Sequence, residues 1–379
     1  MKKIKVMIAF GTRPEAIKML PIVKKMKYNS AFTPVTVVTA QHREMLDQVL
    51  GYFEVRPDYD LNIMRKEQTL SQITSRILEE MEEVLTKEKP DIVLVHGDTT
   101  TTAAVSLAAF YHQIPIGHVE AGLRTWDKYS PFPEEMNRQI TDVLSDLYFV
   151  PTEKSKENLL LENHEESKIF ITGNTVIDAL QYTLKTNYYH PLLEKIGKTD
   201  KKIILLTMHR RENQGQPMLD VFDAVKNIAK DYQDEVEVVF PVHLNPIVRH
   251  AAKEAFDDVE NVHLIEPLEV YDFHNIAARS FLILTDSGGI QEEAPSLGVP
   301  VLVLRNETER PEGVKAGTLK LVGTETEQVE KQIKILLEST SEYMKMSKAQ
   351  NPYGDGLSSE RIMEILEKEF VKSFILKIT

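Results

Sequence analysis

The sequence predicts an α/β protein built from two Rossmann-like domains with parallel sheets. Three observations predict it. Short apolar runs alternate with amphipathic stretches from one end of the chain to the other, and this alternation is the signature of parallel strands joined by helical crossovers. The runs are continuously apolar rather than alternating, as strands buried on both faces must be. At 379 residues the chain also exceeds the length at which one core keeps growing.

The first set of runs covers 4–10, 35–39, 92–95, 115–119, 147–150 and 169–172; the second covers 203–207, 236–241, 262–265, 281–284 and 299–304. Pro14 suits the first turn of a helix over 15–26, where Ile17, Leu20, Val23 and Met26 recur at helical spacing. Leu70, Ile73, Ile77, Met81, Val84 and Leu85 repeat the pattern. Such stripes are buried faces. The polar stretch 183–202, without a period and containing Pro191 and Gly197, marks the domain junction. A last helix runs from about Ser358 to Val371 and suits either half. Ligands of such sheets sit beyond the carboxyl ends of strands, so the site is expected in a cleft between the halves.

Composition removes several classes. A net charge of −13 disfavours a nucleic-acid partner, so an anionic ligand needs a local cluster of cations and amides. No apolar stretch approaches the length of a membrane span, and the run 4–10 is too short for a signal segment, which points to a cytoplasmic protein with no membrane partner. With no cysteine, disulfides and thiolate chemistry are excluded. No GxGxxG follows a strand and there is no P-loop lysine, so no cofactor is expected. Asp58-Tyr59-Asp60 lacks a third ligand, so no metal is expected either.

The residues just beyond the runs carry the chemistry. Asp286-Ser287-Gly288-Gly289-Ile290-Gln291-Glu292-Glu293 reads as a strand end, a glycine turn and a helix start, where free amides and absent side chains admit a diphosphate. Ser287 adds a hydroxyl donor, and Glu292 or Glu293 lies at the right distance to accept from a ribose diol. The plain alternative is a turn that merely stops a strand. His209, followed by Arg210 and Arg211, stands beyond another strand, suited to steadying a leaving phosphate, and His243 and Arg310 repeat that placement. In the first half Arg13 opens a helix, where a cation beside free amides makes an anion site. Asp98, Glu120 and Glu134 form a carboxylate set suited to acid/base work. Each has a structural alternative: Asp98 as cap of the following threonine helix, Glu134 as a first-turn acid, Glu120 as partner of Arg124 or Arg138.

Taken in order, residues 10–18, 95–99, 118–124, 173–175, 209–212, 286–293, 308–312 and 351–356 resemble the bacterial non-hydrolysing UDP-N-acetylglucosamine 2-epimerases over nearly the whole chain. The resemblance implies GT-B architecture: an N-terminal domain of 1–175 plus 364–379 carrying the carboxylates, and a UDP-binding domain of 176–363, with the final helix returning to the first domain. It implies reversible conversion of UDP-GlcNAc to UDP-ManNAc by loss and re-addition of UDP through 2-acetamidoglucal, without NAD. By resemblance Asp98, Glu120 and Glu134 supply acid/base chemistry, and Arg13 and His209 stabilise the departing diphosphate. Lys18 and Arg138 orient substrate and carboxylates, while Ser287, Gly288, Gly289 and Glu293 hold UDP with Arg310 nearby. Gln41, Gln68, Arg211 and His243 match a second, activating UDP-GlcNAc site, although Glu44 and Glu67 stand where some members carry Gln and Arg, so activation is expected to be weaker. A homodimer serving cell-wall polysaccharide synthesis, such as teichoic acid linkage, is also implied. A hydrolysing 2-epimerase, a GT-B glycosyltransferase and a non-catalytic nucleotide-sugar sensor are the rival readings.

Overall fold

The computed structural model describes residues 3–40, 43–65, 67–197 and 200–376. They divide into two compact units, Met1–Tyr182 with Tyr353–Thr379, and Thr183–Pro352. In the first, strands β1 (Ile4–Phe10), β2 (Phe32–Val38), β3 (Tyr59–Asp60), β4 (Ile92–His96), β5 (Ile116–Val119), β6 (Leu147–Val150) and β7 (Ile169–Ile171) form a sheet of order β3-β2-β1-β4-β5-β6-β7. All its pairings are parallel. The chain winds outward from β1 in one direction and from β4 in the other, which makes the carboxyl ends of β1 and β4 a topological switch point. Apolar side chains of β1 and β4 are buried without interruption from Val6 to Phe10 and from Ile92 to Val95, as the continuous runs require.

The second unit repeats the plan with β8 (Lys202–Thr207), β9 (Val236–Pro241), β10 (Val262–Ile265), β11 (Leu282–Thr285), β12 (Val301–Val303) and β13 (Leu319–Leu321), in the order β10-β9-β8-β11-β12-β13. Its switch point falls between β8 and β11. There Thr285 lies opposite Thr207 and their hydroxyls meet at 2.7 Å. The sequence reading lacks β3 and β13. The first has two residues, and the second is an edge strand with an exposed Lys320 between two leucines, so neither makes a continuous apolar run.

The unit boundaries differ from the expected 175/176 and 363/364. Helix Thr175–Thr183 packs within the first unit up to Tyr182, because the buried Asp178 carboxylate accepts the backbone N–H groups of Ser358 (3.2 Å) and Ser359 (2.7 Å). Gln181 donates to the Gly356 carbonyl (2.6 Å), and the Asn174 N–H donates to the Tyr353 carbonyl (2.7 Å). These bonds draw the returning chain into the first unit from Tyr353 onward. The last helix, Ser358–Leu376, then lies along helix Arg13–Lys27, where Lys25 pairs with Glu360. Among the described residues no helix is long and apolar enough to cross a membrane.

Candidate active site

In the first unit the polar groups gather past β1, β4 and β5. Arg13 is the first residue of helix Arg13–Lys27, and Glu15, in the same first turn, folds back toward the helix start. The buried Glu15 carboxylate accepts the N–H groups of Gly11 (3.1 Å) and Thr12 (2.8 Å) and the hydroxyls of Thr99 (2.9 Å) and Thr102 (3.2 Å). It therefore ties the loop after β1 to the loop after β4. Burial raises its pKa above the usual carboxylate range, against those bonds.

Glu120 follows β5 with φ +63°, a left-handed conformation unusual outside glycine, which aims its side chain at the helix after β1. There Lys18 donates to Oε2, and Asn174 donates to the same oxygen at 2.9 Å. Burial alone would raise the Glu120 carboxyl, but the Lys18 cation and His96 hold it well below the usual range. His96 Nε2 stands 3.7 Å from Glu120 Oε2, beyond hydrogen-bond length, and both buried ring nitrogens lack a hydrogen-bond partner among the described residues.

Asp98 moves the other way. Burial pushes its pKa up, opposed by the Arg138 guanidinium 2.8 Å from Oδ2, while the negative Glu120 adds to the rise. The Asp98 carbonyl is held by the Asn137 amide at 3.0 Å. Glu134 is the first residue of helix Glu134–Leu144, half-buried, and its carbonyl accepts from Arg138 Nε at 3.4 Å. The neighbouring Glu135 is the fully buried one, bonded to the N–H groups of Thr125 and Trp126, and it anchors the loop.

Two structural alternatives for these carboxylates are overturned. The cap of helix Thr100–Tyr111 is Thr99, whose hydroxyl accepts from the Thr102 N–H at 3.1 Å, and Asp98 stands one residue too early. Glu120 pairs with neither Arg124 nor Arg138: Arg124 is taken by Asp142 and Glu162, and Arg138 by Asp98.

In the second unit Asp286, just past β11, is the hub. Fully buried, it accepts the N–H groups of His209 (3.0 Å) and Arg210 (2.8 Å) and the Asn213 amide (3.1 Å), fixing the loop after β8 over the end of β11. The His209 ring stays partly exposed and stacks on His243 at 5.4 Å; partial burial lowers its pKa against the raising pull of Asp286. Ser287 occupies the N-cap position of the short helix Gly288–Glu293 without a side-chain cap bond. A Cβ at Gly288 would lie 3.6 Å from the Arg210 guanidinium and 3.9 Å from that of Arg310, so two cations flank the glycine turn. Arg310 is anchored through Nε to Glu292, which is nearly buried. The less buried Glu293 is steadied by His274 Nε2 at 3.1 Å, whose Nδ1 in turn meets the Thr183 hydroxyl at 2.8 Å.

The expected second-site residues are divided between the two units. Gln41 lies outside the described residues. Gln68 accepts from the Arg65 N–H and from Arg76 (2.8 Å), serving the turn that precedes helix Leu70–Glu88, while Arg211 and His243 are exposed on the second unit. Asp58 and Asp60 accept the backbone N–H groups of Thr36 and Asn62, and among the described residues no group of three or more acidic or His side chains is placed to hold a metal ion. A groove of about 400 Å³ lies at the amino ends of β4 to β6, lined by Ile92, Pro115, Ser145 and Leu147, and contains none of the residues above.

Sheets wound outward from a central switch point, with titratable groups past it in one unit and cations around a glycine turn in the other, define an α/β enzyme of the GT-B class. The chain belongs to the UDP-N-acetylglucosamine 2-epimerase family, whose model matches residues 24–367. It is 61% identical over 366 residues to the UDP-N-acetylglucosamine 2-epimerase of Bacillus subtilis, covering 97% of this chain and 96% of that one. The solved S. aureus MnaA–UDP structure is 52% identical with a TM-score of 0.86, covering 97% of each chain. The Neisseria meningitidis UDP-GlcNAc 2-epimerase bound to UDP-GlcNAc is 50% identical with a TM-score of 0.82, covering 96% of this chain and 100% of that one. The chain is accordingly an isomerase.

Proposed function

We propose that this enzyme interconverts UDP-GlcNAc and UDP-ManNAc by eliminating UDP and adding it back to a 2-acetamidoglucal intermediate. The C2 hydrogen is not adjacent to a carbonyl, so its removal gives no stabilised enolate and has to be coupled to departure of UDP from C1. Two kinds of group are needed: carboxylates of opposed acidity at the sugar, and fixed cations and amides at the diphosphate.

The observation that carries this reading is the split between Asp98, pushed up by burial, and Glu120, held down by Lys18. Groups whose environments drive their acidities apart divide the acid and base roles between them. Glu134, Lys18 and Arg138 complete the sugar side and Arg13 the phosphate side of the first unit. In the second unit Ser287, Gly288 and Gly289 cradle the diphosphate with Arg310 and His209, and Glu293 receives the ribose diol. The relatives solved with UDP and with UDP-GlcNAc support the choice of ligand.

Incubating the protein with UDP-GlcNAc in heavy water tests the reading directly. The expected NMR result is UDP-ManNAc with deuterium at C2 of both epimers. Protium retained at C2 throughout refutes elimination; release of free ManNAc identifies a hydrolysing enzyme, and transfer to an acceptor without change at C2 a glycosyltransferase.

A further inference from the structure

His118, on β5 two residues before Glu120, is fully buried and has no place in the chemistry described so far. Its Nε2 lies 2.7 Å from the Gly97 carbonyl oxygen and its Nδ1 lies 2.6 Å from Asp142 Oδ1. A carbonyl oxygen only accepts, so Nε2 must carry hydrogen. Asp142 also receives Arg124 at 2.7 Å and the Gly122 N–H at 3.4 Å, and that surplus of donors keeps it a carboxylate; Nδ1 must then carry hydrogen as well. We propose that His118 is a buried imidazolium that clamps the Gly97 peptide and so sets Asp98 and Glu120 in register as a positioning residue.

The clamp has two jaws. The Gly97 N–H donates to the Val119 carbonyl at 2.9 Å while the Gly97 carbonyl receives His118, so both backbone polar groups of Gly97, one in each of its flanking peptides, are fixed to β5. The next residues along these two segments are Asp98 and Glu120. Gly97 has φ +65°, a backbone the clamp must hold. The charged groups around the imidazolium are Asp142 and, beyond it, Arg124 with Glu162; the Tyr148 hydroxyl donates to the Asp142 carbonyl and meets His164 Nδ1. Two carboxylates thus face two cations, and the charge is locally balanced.

The assignment of Asp98 and Glu120 to the reaction rests on the function proposed above, whereas the protonation of His118 does not. Nitrogen NMR of the ¹⁵N-histidine-labelled wild-type protein near neutral pH, assigned by difference from His118→Gln, is expected to show both His118 ring nitrogens protonated. An unprotonated ring nitrogen at His118 overturns the proposal. In the kinetic arm, His118→Gln and Asp142→Asn are expected to lower kcat on UDP-GlcNAc by roughly tenfold to hundredfold with UDP affinity unchanged, below the temperature at which either variant melts. Wild-type kcat in either folded variant overturns the positioning role. If neither variant folds, the signal of the wild-type protein, assigned instead by its close contact with labelled Asp142, still decides the protonation on which the clamp depends.

Discussion

Replacing Glu120 by Gln keeps the shape of the side chain and one acceptor oxygen but removes the charge, which separates its chemical role from its packing. Oε2 receives both Lys18 and Asn174, and a Gln carbonyl oxygen in its place can accept from both, so the change removes the charge rather than the acceptor. Lys18, with 18% of its side chain exposed, then loses the Glu120 charge, at a cost to stability of about 1–3 kcal/mol. Loss of a positioned acid or base costs roughly 10²–10⁴ in rate, or about 3–5 kcal/mol of barrier. Turnover of UDP-GlcNAc, calorimetric binding of UDP and thermal melting together make the assay. Expected are a kcat down by at least about a hundredfold, UDP affinity within about threefold, and a modestly lower melting temperature. A folded variant with kcat within threefold of wild type refutes the reasoning. The pH dependence follows from sign: a carboxyl held below its unfolded value contributes stability that is present above that value and lost as pH falls through the folded one. The stability gap between wild type and Glu120→Gln should therefore narrow on acidification through the carboxylate range.

Asp98→Asn should also lower kcat by roughly 10²–10⁴, but with the opposite pH signature. A carboxyl raised on folding contributes stability only at low pH, so this variant should gain on wild type as pH rises, read from denaturant midpoints in acidic and neutral buffer. Glu15→Gln should be tolerated within about 1 kcal/mol, since its carbonyl can face the Gly11 and Thr12 N–H groups while its amide faces hydroxyls that can turn to accept; Glu15→Ala should cost roughly 2–5 kcal/mol by stranding those N–H groups. Equal unfolding midpoints for the two would contradict this. Ser287→Ala or Glu293→Gln should weaken UDP binding by about 1–3 kcal/mol with little effect on kcat, as calorimetry would show. At Gly122, with φ +79°, an added Cβ would sit 2.3 Å from the Ser155 carbonyl oxygen, so Gly122→Ala should lower stability by roughly 2–5 kcal/mol, measurable by denaturant unfolding.

What the sequence shows of this site is set by how far each signal extends along the chain. The strands other than β3 and β13 were readable because burial on both faces writes itself into consecutive residues, and the carboxyl end of each run then points to Arg13, Asp98, Glu120, His209 and Ser287 without further information. Partnership is different. Read locally, Glu120 has Arg124 and Arg138 as its candidate partners, yet its partner is Lys18, 102 positions away in sequence. The reason is topological: β1, β4 and β5 are adjacent in the sheet, so the helix after β1 lies over the loop after β5, while the two arginines turn to Asp142 and Asp98. The same holds for Glu15, which bonds hydroxyls after β4, for Asp286, whose partners follow β8, and for the His118–Asp142 pair. Glu15, His118 and Asp286 are buried polar residues at a strand end or in the first helix turn beyond it, while Asp142 lies near the end of helix Glu134–Leu144, and the sequence signature of each is only that position. A buried carboxylate or imidazole needs partners, and a parallel sheet supplies them from the neighbouring strand, which is usually a whole crossover away in sequence. Strand order is thus the missing term: once β1, β4 and β5 are known to be neighbours, the pairing of Lys18 with Glu120 and of His118 with Gly97 follows from the same strand-end residues already visible in the chain.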